Sequence, residues 1–288
     1  MNYLAHFGLR EAPFGITPDT SFFFPCRSSQ QALNTLLVAL ENGEGFIKII
    51  GEVGTGKTML CRKFLGLLGD SSWVSAYIPN PNLEPRTLLL AFAEELGVGM
   101  DPAQEQYRLL KRLTLALLDI ARSGRRVVLC MDESQAMPLD TLEALRLLTN
   151  LETEKRKLVQ VVLFGQPELD GKLASESVRQ LRQRITFQHD LRSLEEDEVG
   201  AYFAHRLQVA GYAGRSLLTN PARRSLYRAS RGLPRLVNIL AHKALLLIYG
   251  EGSTRIEMRH VNTAAFDTPA AVQPRPWWLL RLGLRASR

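Results

Sequence analysis

Eight consecutive residues, Gly51-Glu52-Val53-Gly54-Thr55-Gly56-Lys57-Thr58, fit the pattern G-x-x-x-x-G-K-[ST] at every position. That spacing does phosphate chemistry. The backbone N–H groups of such a loop converge on an anion, the glycines let the main chain come close, and a following helix N-terminus adds partial positive charge. Lys57 is expected to reach the β- and γ-phosphates of a nucleoside triphosphate, and the Thr58 hydroxyl to hold Mg²⁺. Met59 closes the stretch expected to line the nucleotide.

A second cluster supplies what hydrolysis requires. Arg125-Arg126-Val127-Val128-Leu129-Cys130-Met131 reads as a buried strand that ends in Asp132-Glu133. In a parallel α/β sheet, ligands sit beyond the carboxyl ends of the strands, so both acids are expected to emerge beside the phosphate loop. Asp132 then positions Mg²⁺ and Glu133 polarises the attacking water. Phosphoryl transfer asks mainly for this kind of positioning and charge stabilisation. Alone, an Asp-Glu pair at a strand end is often just a solvated turn; behind a phosphate loop it becomes chemistry.

The elements that must hold these residues are legible around them. Phe46-Ile47-Lys48-Ile49-Ile50 enters the loop as a short apolar strand, and Met59 to Leu68 leaves it with apolar residues at helical spacing. Ser28 to Glu41 carries Ala32, Leu33, Leu36, Leu37 and Leu40 at helical intervals. Trp73 to Ile78 reads as a strand stopped by Pro79-Asn80-Pro81-Asn82, and helices follow at 85–96 and 103–122. Beyond the acidic strand come a helix near 138–151, the charged turn 152–157 and a strand from Leu158 to Gly165. A helix near 168–182 and a short strand near 185–191 complete the series. Strands alternating with helices imply an α/β fold with a mostly parallel sheet. The opening residues, with Pro13 and Pro18, are turn-rich and disfavour a long helix.

From Ser193 the pattern is helical, over 195–210, 220–230, 234–249 and 259–266. The expected division is an α/β nucleotide-binding core over 1–192, a helical lid over 193–266, and a Pro-rich linker with a basic, aromatic tail over 267–288. Trp277-Trp278-Leu279-Leu280-Arg281-Leu282-Gly283-Leu284-Arg285 in that tail reads as a frayed end, a segment for an anionic membrane surface, or a docking segment for a partner.

Three further positions bear on the chemistry. Gln166 follows the strand 158–165, where its amide can meet the γ-phosphate or the water; it can equally cap the turn before Pro167. Arg182 and Arg184 end the next helix, pointing away from their own nucleotide and able to stabilise charge in a neighbouring subunit's site; a solvated basic face is the other reading. Arg235 opens a helix after Gly232-Leu233-Pro234 and can fold over the phosphates, or simply sit at a helix start.

Composition sets outer bounds. With 288 residues, 45% hydrophobic and 23% charged, the chain has ordinary globular composition and ample material for a core. The first residues lack a basic start and an apolar stretch, and no uncharged run is long enough for a bilayer, so a cytoplasmic protein is expected. Cys26, Cys61 and Cys130 have no metal-ligand spacing and are expected to be reduced. The formal charge is +7, but Arg275, Arg281, Arg285 and Arg288 stand in the acid-free stretch 268–288. The +3 that remains over 267 residues is weak evidence for a nucleic-acid partner, although sequence does not show whether basic residues cluster on a folded surface.

Six segments in order extend this reading: Phe7-Gly8-Leu9 with Pro13-Phe14; the loop 51–58; Met131-Asp132-Glu133-Ser134-Gln135; Gly165-Gln166-Pro167-Glu168-Leu169; Leu181-Arg182-Gln183-Arg184-Ile185; and Gly232-Leu233-Pro234-Arg235-Leu236-Val237-Asn238. Together, over residues 3 to 266, they resemble the ExeA/GspA-type AAA+ ATPases of bacterial secretion and pilus biogenesis. In length the chain is similar to members from mannose-sensitive haemagglutinin (MSHA) pilus systems. The resemblance implies a P-loop NTPase AAA+ core with a C-terminal all-α lid, hydrolysis of ATP with Mg²⁺, and a ring or lower homo-oligomer. It also implies inner-membrane pilus or secretion assembly proteins as partners, with the tail as a peripheral membrane contact. It favours Arg184 as the finger, because the family pattern keeps the arginine before isoleucine, and Arg235 as the lid sensor. ExeA-like members continue into a transmembrane segment and a periplasmic peptidoglycan-binding domain that these residues do not include, so peptidoglycan remodelling is not carried over.

Two other readings share much of this. A DNA-associated AAA+ regulator or loader, of the transposition type, has the same core and lid; it would bind DNA in a salt-dependent way and be stimulated by it. A switch that holds nucleotide without hydrolysing it is the third, and Glu133 argues against it.

Overall fold

The structure, a computed structural model, describes residues 3–69, 72–152 and 157–273. The tail residues Trp277, Trp278 and Arg281 lie outside them, as does the centre of the charged turn 152–157. The chain forms two compact units, Arg27–Arg192 and the described part of Met1–Cys26 with Ser193–Arg288.

The first unit is built on five parallel strands: β1 (Phe46–Ile50), β2 (Trp73–Ile78), β3 (Arg126–Met131), β4 (Val159–Gly165) and β5 (Ile185–Asp190). Their spatial order is β2-β3-β4-β1-β5. Every residue of β1 and β4 is buried, which is why both read as apolar runs, interrupted only by Lys48 and Gln160; β5, on an edge, alternates. The flanking helices Arg27–Glu41, Lys57–Leu67, Pro85–Glu95 and Gln106–Arg122 pack on the sheet through apolar faces that include Leu36, Phe64, Phe92 and Leu113. Burying each such side chain contributes roughly 1.5–3 kcal/mol. Because β4 lies between β1 and β3, with Ile50 beside Gly165 and Met131 beside Leu163, the carboxyl ends of all three strands open at one end of the sheet.

The helix expected over 168–182 is broken into Glu168–Leu173, a 3-10 turn at Glu176–Val178 and Arg179–Arg182. Its buried residues are Leu169, Leu173, Val178 and Leu181. The five-residue step from Leu173 to Val178 would carry a continuous helix off its apolar face, and the break restores the face.

The second unit holds the helices Glu196–Val209, Asn220–Ser230, Pro234–Gly250 and Met258–Phe266 around a core that includes Val199, Phe203, Leu226, Val237, Leu240 and Val261. Starts are well marked: Glu195 and Glu198 form a capping box, and Pro221 and Pro234 sit in first turns. Ahead of the last helix, Ile256 makes an isolated bridge with Leu218.

The N-terminal residues correct the expected division. Instead of joining the α/β core, Phe7, Leu9, Phe14 and Phe22 are buried in the helical unit. Phe14 stacks on Phe203 at 4.9 Å, and the buried Arg206 donates to the carbonyls of Pro13 (2.5 Å) and Gly15 (3.2 Å). Among the described residues, no helix is long and apolar enough to cross a membrane.

Candidate nucleotide site

The loop after β1 is closed at both ends. Gly51 N–H donates to the Gly165 carbonyl at 3.1 Å, and Thr55 Oγ1 donates to the Glu52 carbonyl at 2.8 Å. A Cβ at Gly51 would lie 2.8 Å from Thr55 Oγ1 and 3.0 Å from the Leu191 carbonyl oxygen, so the packing of the loop admits no side chain there. Gly56 has φ 99°, a left-handed conformation that glycine adopts without strain, and it turns the chain into the helix Lys57–Leu67. Val53 and Glu52 are exposed, Gly54 and Met59 half-buried.

Lys57 is buried, its ammonium donating to the carbonyls of Gly51 (2.7 Å) and Glu52 (3.1 Å). Burial lowers its pKa, opposed by the negative charge of Glu133, Asp132, Glu52 and Glu168. A cation held in that state answers an anion placed in the loop.

Thr58 and Asp132 meet across 74 residues of chain: Thr58 Oγ1 donates to Asp132 Oδ2 at 2.5 Å. Asp132 Oδ1 accepts the Glu133 N–H at 3.0 Å, and the Tyr77 hydroxyl donates to Oδ2 at 3.4 Å. Burial raises the Asp132 pKa against the hydrogen bonds from Thr58 and Glu133. Tyr77 is pushed up to about 12, by burial first and then by the Asp132 charge. Two hard oxygens side by side, one of them anionic, suit Mg²⁺, which binds through one or two protein oxygens plus phosphates and water. Among the described residues, no group of three or more His, Cys, Asp or Glu side chains forms a separate metal site. None of Cys26, Cys61 and Cys130 is in a disulfide, and all three are buried.

Glu133 adopts φ 51°, one of two non-glycine residues with positive φ among those described. Its Oε2 accepts from Gln166 Nε2 at 3.0 Å and from Gln135 Nε2 at 2.5 Å. Gln166, expected to face the γ-phosphate or the water or to cap the turn, stands beside this acid. Gln135 and Tyr77 were not singled out as site residues. Gln135 lies in the short 3-10 turn after β3, and Tyr77 in β2, paired with Cys130 two residues before Asp132. Only that pairing distinguishes Tyr77 from any other strand tyrosine.

Arg184 sits apart from these groups. It directly precedes β5, whose first residue Ile185 pairs with Phe46 at the start of β1, whereas the phosphate loop leaves from the other end. A five-residue strand separates them, about 17 Å. Half-buried Arg184 donates from Nη1 to Thr149 Oγ1 at 3.4 Å; Arg182 is exposed. Arg235 belongs to the other unit, exposed in the first turn of the helix Pro234–Gly250.

A five-stranded parallel sheet flanked by helices, a phosphate loop after β1 and a helical C-terminal region make up the fold of a P-loop NTPase AAA+ core. Residues 40–173 match the family model described as AAA domain. The chain is 39% identical over 275 residues to General secretion pathway protein A of Aeromonas hydrophila, a match that covers 96% of this chain and 50% of that protein. It therefore spans about half the length of this curated relative. Both matches support the ExeA/GspA-type AAA+ resemblance carried by the motifs. Among solved structures, Cdc6p from Pyrobaculum aerophilum aligns with a TM-score of 0.65 at 18% identity, covering 93% of this chain and 74% of that one. The Aeropyrum pernix ORC2 protein, in ADPNP–ADP complexes, aligns at 0.63 and 15%, covering 93% and 75%. At such identities the likeness is one of fold.

Proposed function

We propose that the protein binds ATP with Mg²⁺ at residues 51–59 and hydrolyses it to support secretion-system or type IV pilus assembly at the inner membrane, as a cytoplasmic oligomer of the MSHA-pilus class. The observation that carries the hydrolytic reading is the meeting of Thr58 and Asp132 at 2.5 Å with Glu133 next in sequence. Lys57 and the loop N–H groups hold the β- and γ-phosphates; Thr58 and Asp132 hold Mg²⁺. Bound there, Mg²⁺ would supply charge neutralisation on the phosphate oxygens. Glu133 polarises the attacking water, with Gln166 aligning it against the γ-phosphate. The secretion and pilus context rests on the similarity to General secretion pathway protein A and on the ordered motifs, and its partners would be membrane-bound assembly proteins.

Because Arg184 stands a strand's length from its own phosphate loop, any stabilisation it gives a transition state is given to a neighbouring copy. Arg235 would report nucleotide state through the helical lid. Tail residues 277–285 would add a weak, salt-sensitive membrane contact, tested by liposome flotation of the full chain against a truncation after residue 267.

The deciding experiment is steady-state ATPase activity against protein concentration for wild type, Glu133→Gln and Arg184→Ala, with ATP binding measured alongside. Activity that rises with concentration and is lost in both variants, with binding kept, supports a shared-site ATPase. Activity that is flat with concentration and survives Arg184→Ala removes the trans finger. A protein that binds ATP without turnover at any concentration removes hydrolysis.

A further inference from the structure

The Glu133 carboxylate is held by two carboxamides, and that of Gln135 is also bonded to the backbone of Gln166. Gln135 Nε2 donates to Glu133 Oε2 at 2.5 Å, while Gln135 Oε1 accepts the Gln166 backbone N–H at 3.0 Å. Gln166 Nε2 then returns to the same Glu133 oxygen at 3.0 Å. The three residues close a ring of hydrogen bonds between the turn after β3 and the turn after β4.

Two backbone features make room for this ring. Glu133 lies in the left-handed region, which costs a non-glycine residue roughly 1–2 kcal/mol and persists only where the surroundings enforce it. Its carbonyl accepts the Ala136 N–H at 2.8 Å, winding residues 134–136 into the turn that brings Gln135 back over Glu133. On the other side, a Cβ at Gly165 would meet Leu169 Cδ2 at 2.8 Å, and Gln135 Oε1 lies 3.6 Å from that position. The β4 turn can therefore come close enough for its next N–H to reach Gln135.

We infer that Gln135 is a positioning residue for hydrolysis, bridging the Glu133 carboxylate to the Gln166 backbone so that acid and amide keep a fixed spacing. This rests on the hydrolytic reading above. The amide is suited to the task, since it presents one donor to the acid and one acceptor to the N–H. No other side-chain type of its length offers both without a charge. Neither Oε2 contact occupies Oε1 of Glu133, which stays available to a water. A misplacement of about 1 Å in such a group can cost about 100-fold in rate.

The test is Gln135→Glu beside Gln135→Ala in the full chain, read as kcat, KM for ATP, affinity for a fluorescent ATP analogue, and Tm. Gln135→Glu keeps the size and the acceptor for Gln166 N–H, but replaces the donor facing Glu133 by a like charge. A kcat at least 10-fold lower, with analogue affinity within about 2-fold and Tm unmoved, supports positioning. Gln135→Ala should lower kcat in the same sense and likewise leave KM alone. If Gln135→Glu turns over within about 2-fold of wild type, or if its loss of rate tracks a loss of Tm and of analogue binding, the inference is overturned while the ATPase reading stands. A wild-type chain that binds the analogue but never hydrolyses ATP removes both.

Discussion

The Thr58 hydroxyl reaches Asp132 at 2.5 Å, joining the first turn of the loop helix to the end of β3 although β4 runs between β3 and β1. If this oxygen pair receives Mg²⁺, Thr58→Ala should reduce metal-dependent turnover by about 10–100-fold, and Thr58→Ser should recover it to within a few-fold. A Mg²⁺ titration of ATPase rate checks this. Unchanged Mg²⁺ dependence in Thr58→Ala would place the metal elsewhere.

Asp132 should make the nucleotide-free protein less stable as pH rises. Burial raises its folded pKa above the unfolded value, so the folded state binds the proton more tightly. Its contribution therefore falls as pH rises from the ordinary aspartate range through the folded pKa. Asp132→Asn should raise the Tm of the ligand-free protein at neutral pH by about 2–4 °C, on the order of 1 kcal/mol, while abolishing turnover. The gain should shrink as pH falls through the folded pKa towards the ordinary aspartate range. Melting curves across that range decide it; a gain that does not vary with pH would point to packing instead.

Mixing tests the placement of Arg184. An Arg184→Ala subunit keeps Glu133, and a Glu133→Gln subunit keeps its arginine. If the finger acts across subunits, an equal mixture should recover up to about a quarter of wild-type rate, although each variant alone falls by roughly 10³-fold or more. A mixture no more active than its components would show that sites are not shared in this way.

In the helical unit, Arg206 carries the contact with the N-terminal segment. Arg206→Ala leaves the carbonyls of Pro13 and Gly15 without that donor and removes the guanidinium lying 4.5 Å from the Phe22 ring centroid. The expected cost is about 2–4 kcal/mol, read by urea denaturation together with faster proteolysis within residues 3–26. A loss below about 0.5 kcal/mol would mean the segment is held by its aromatic side chains alone.

Local signals were sufficient for the phosphate loop, the acidic strand end and the alternation of strands with helices. The glycines, the apolar runs and the Lys-Thr pair act over a few residues, and so does the chemistry that selects them. The same locality explains the misread segments. Residues 168–182 look helical in composition, and only the five-residue step between Leu173 and Val178 betrays the break. The aromatics of the first 26 residues announce burial without saying where.

By itself the sequence determined the strand, glycine loop and helix around residues 46–67, and that two acids would follow the strand ending at Met131. Only tertiary structure decided that the sheet runs β2-β3-β4-β1-β5, because strand order depends on pairings between distant segments that no local pattern encodes. That order brings Asp132 to Thr58, sets Gln166 against Glu133, and leaves Arg184 at the far end of the sheet. It also makes Gln135 a bridge, since the Gln166 N–H it meets lies 31 residues away along the chain.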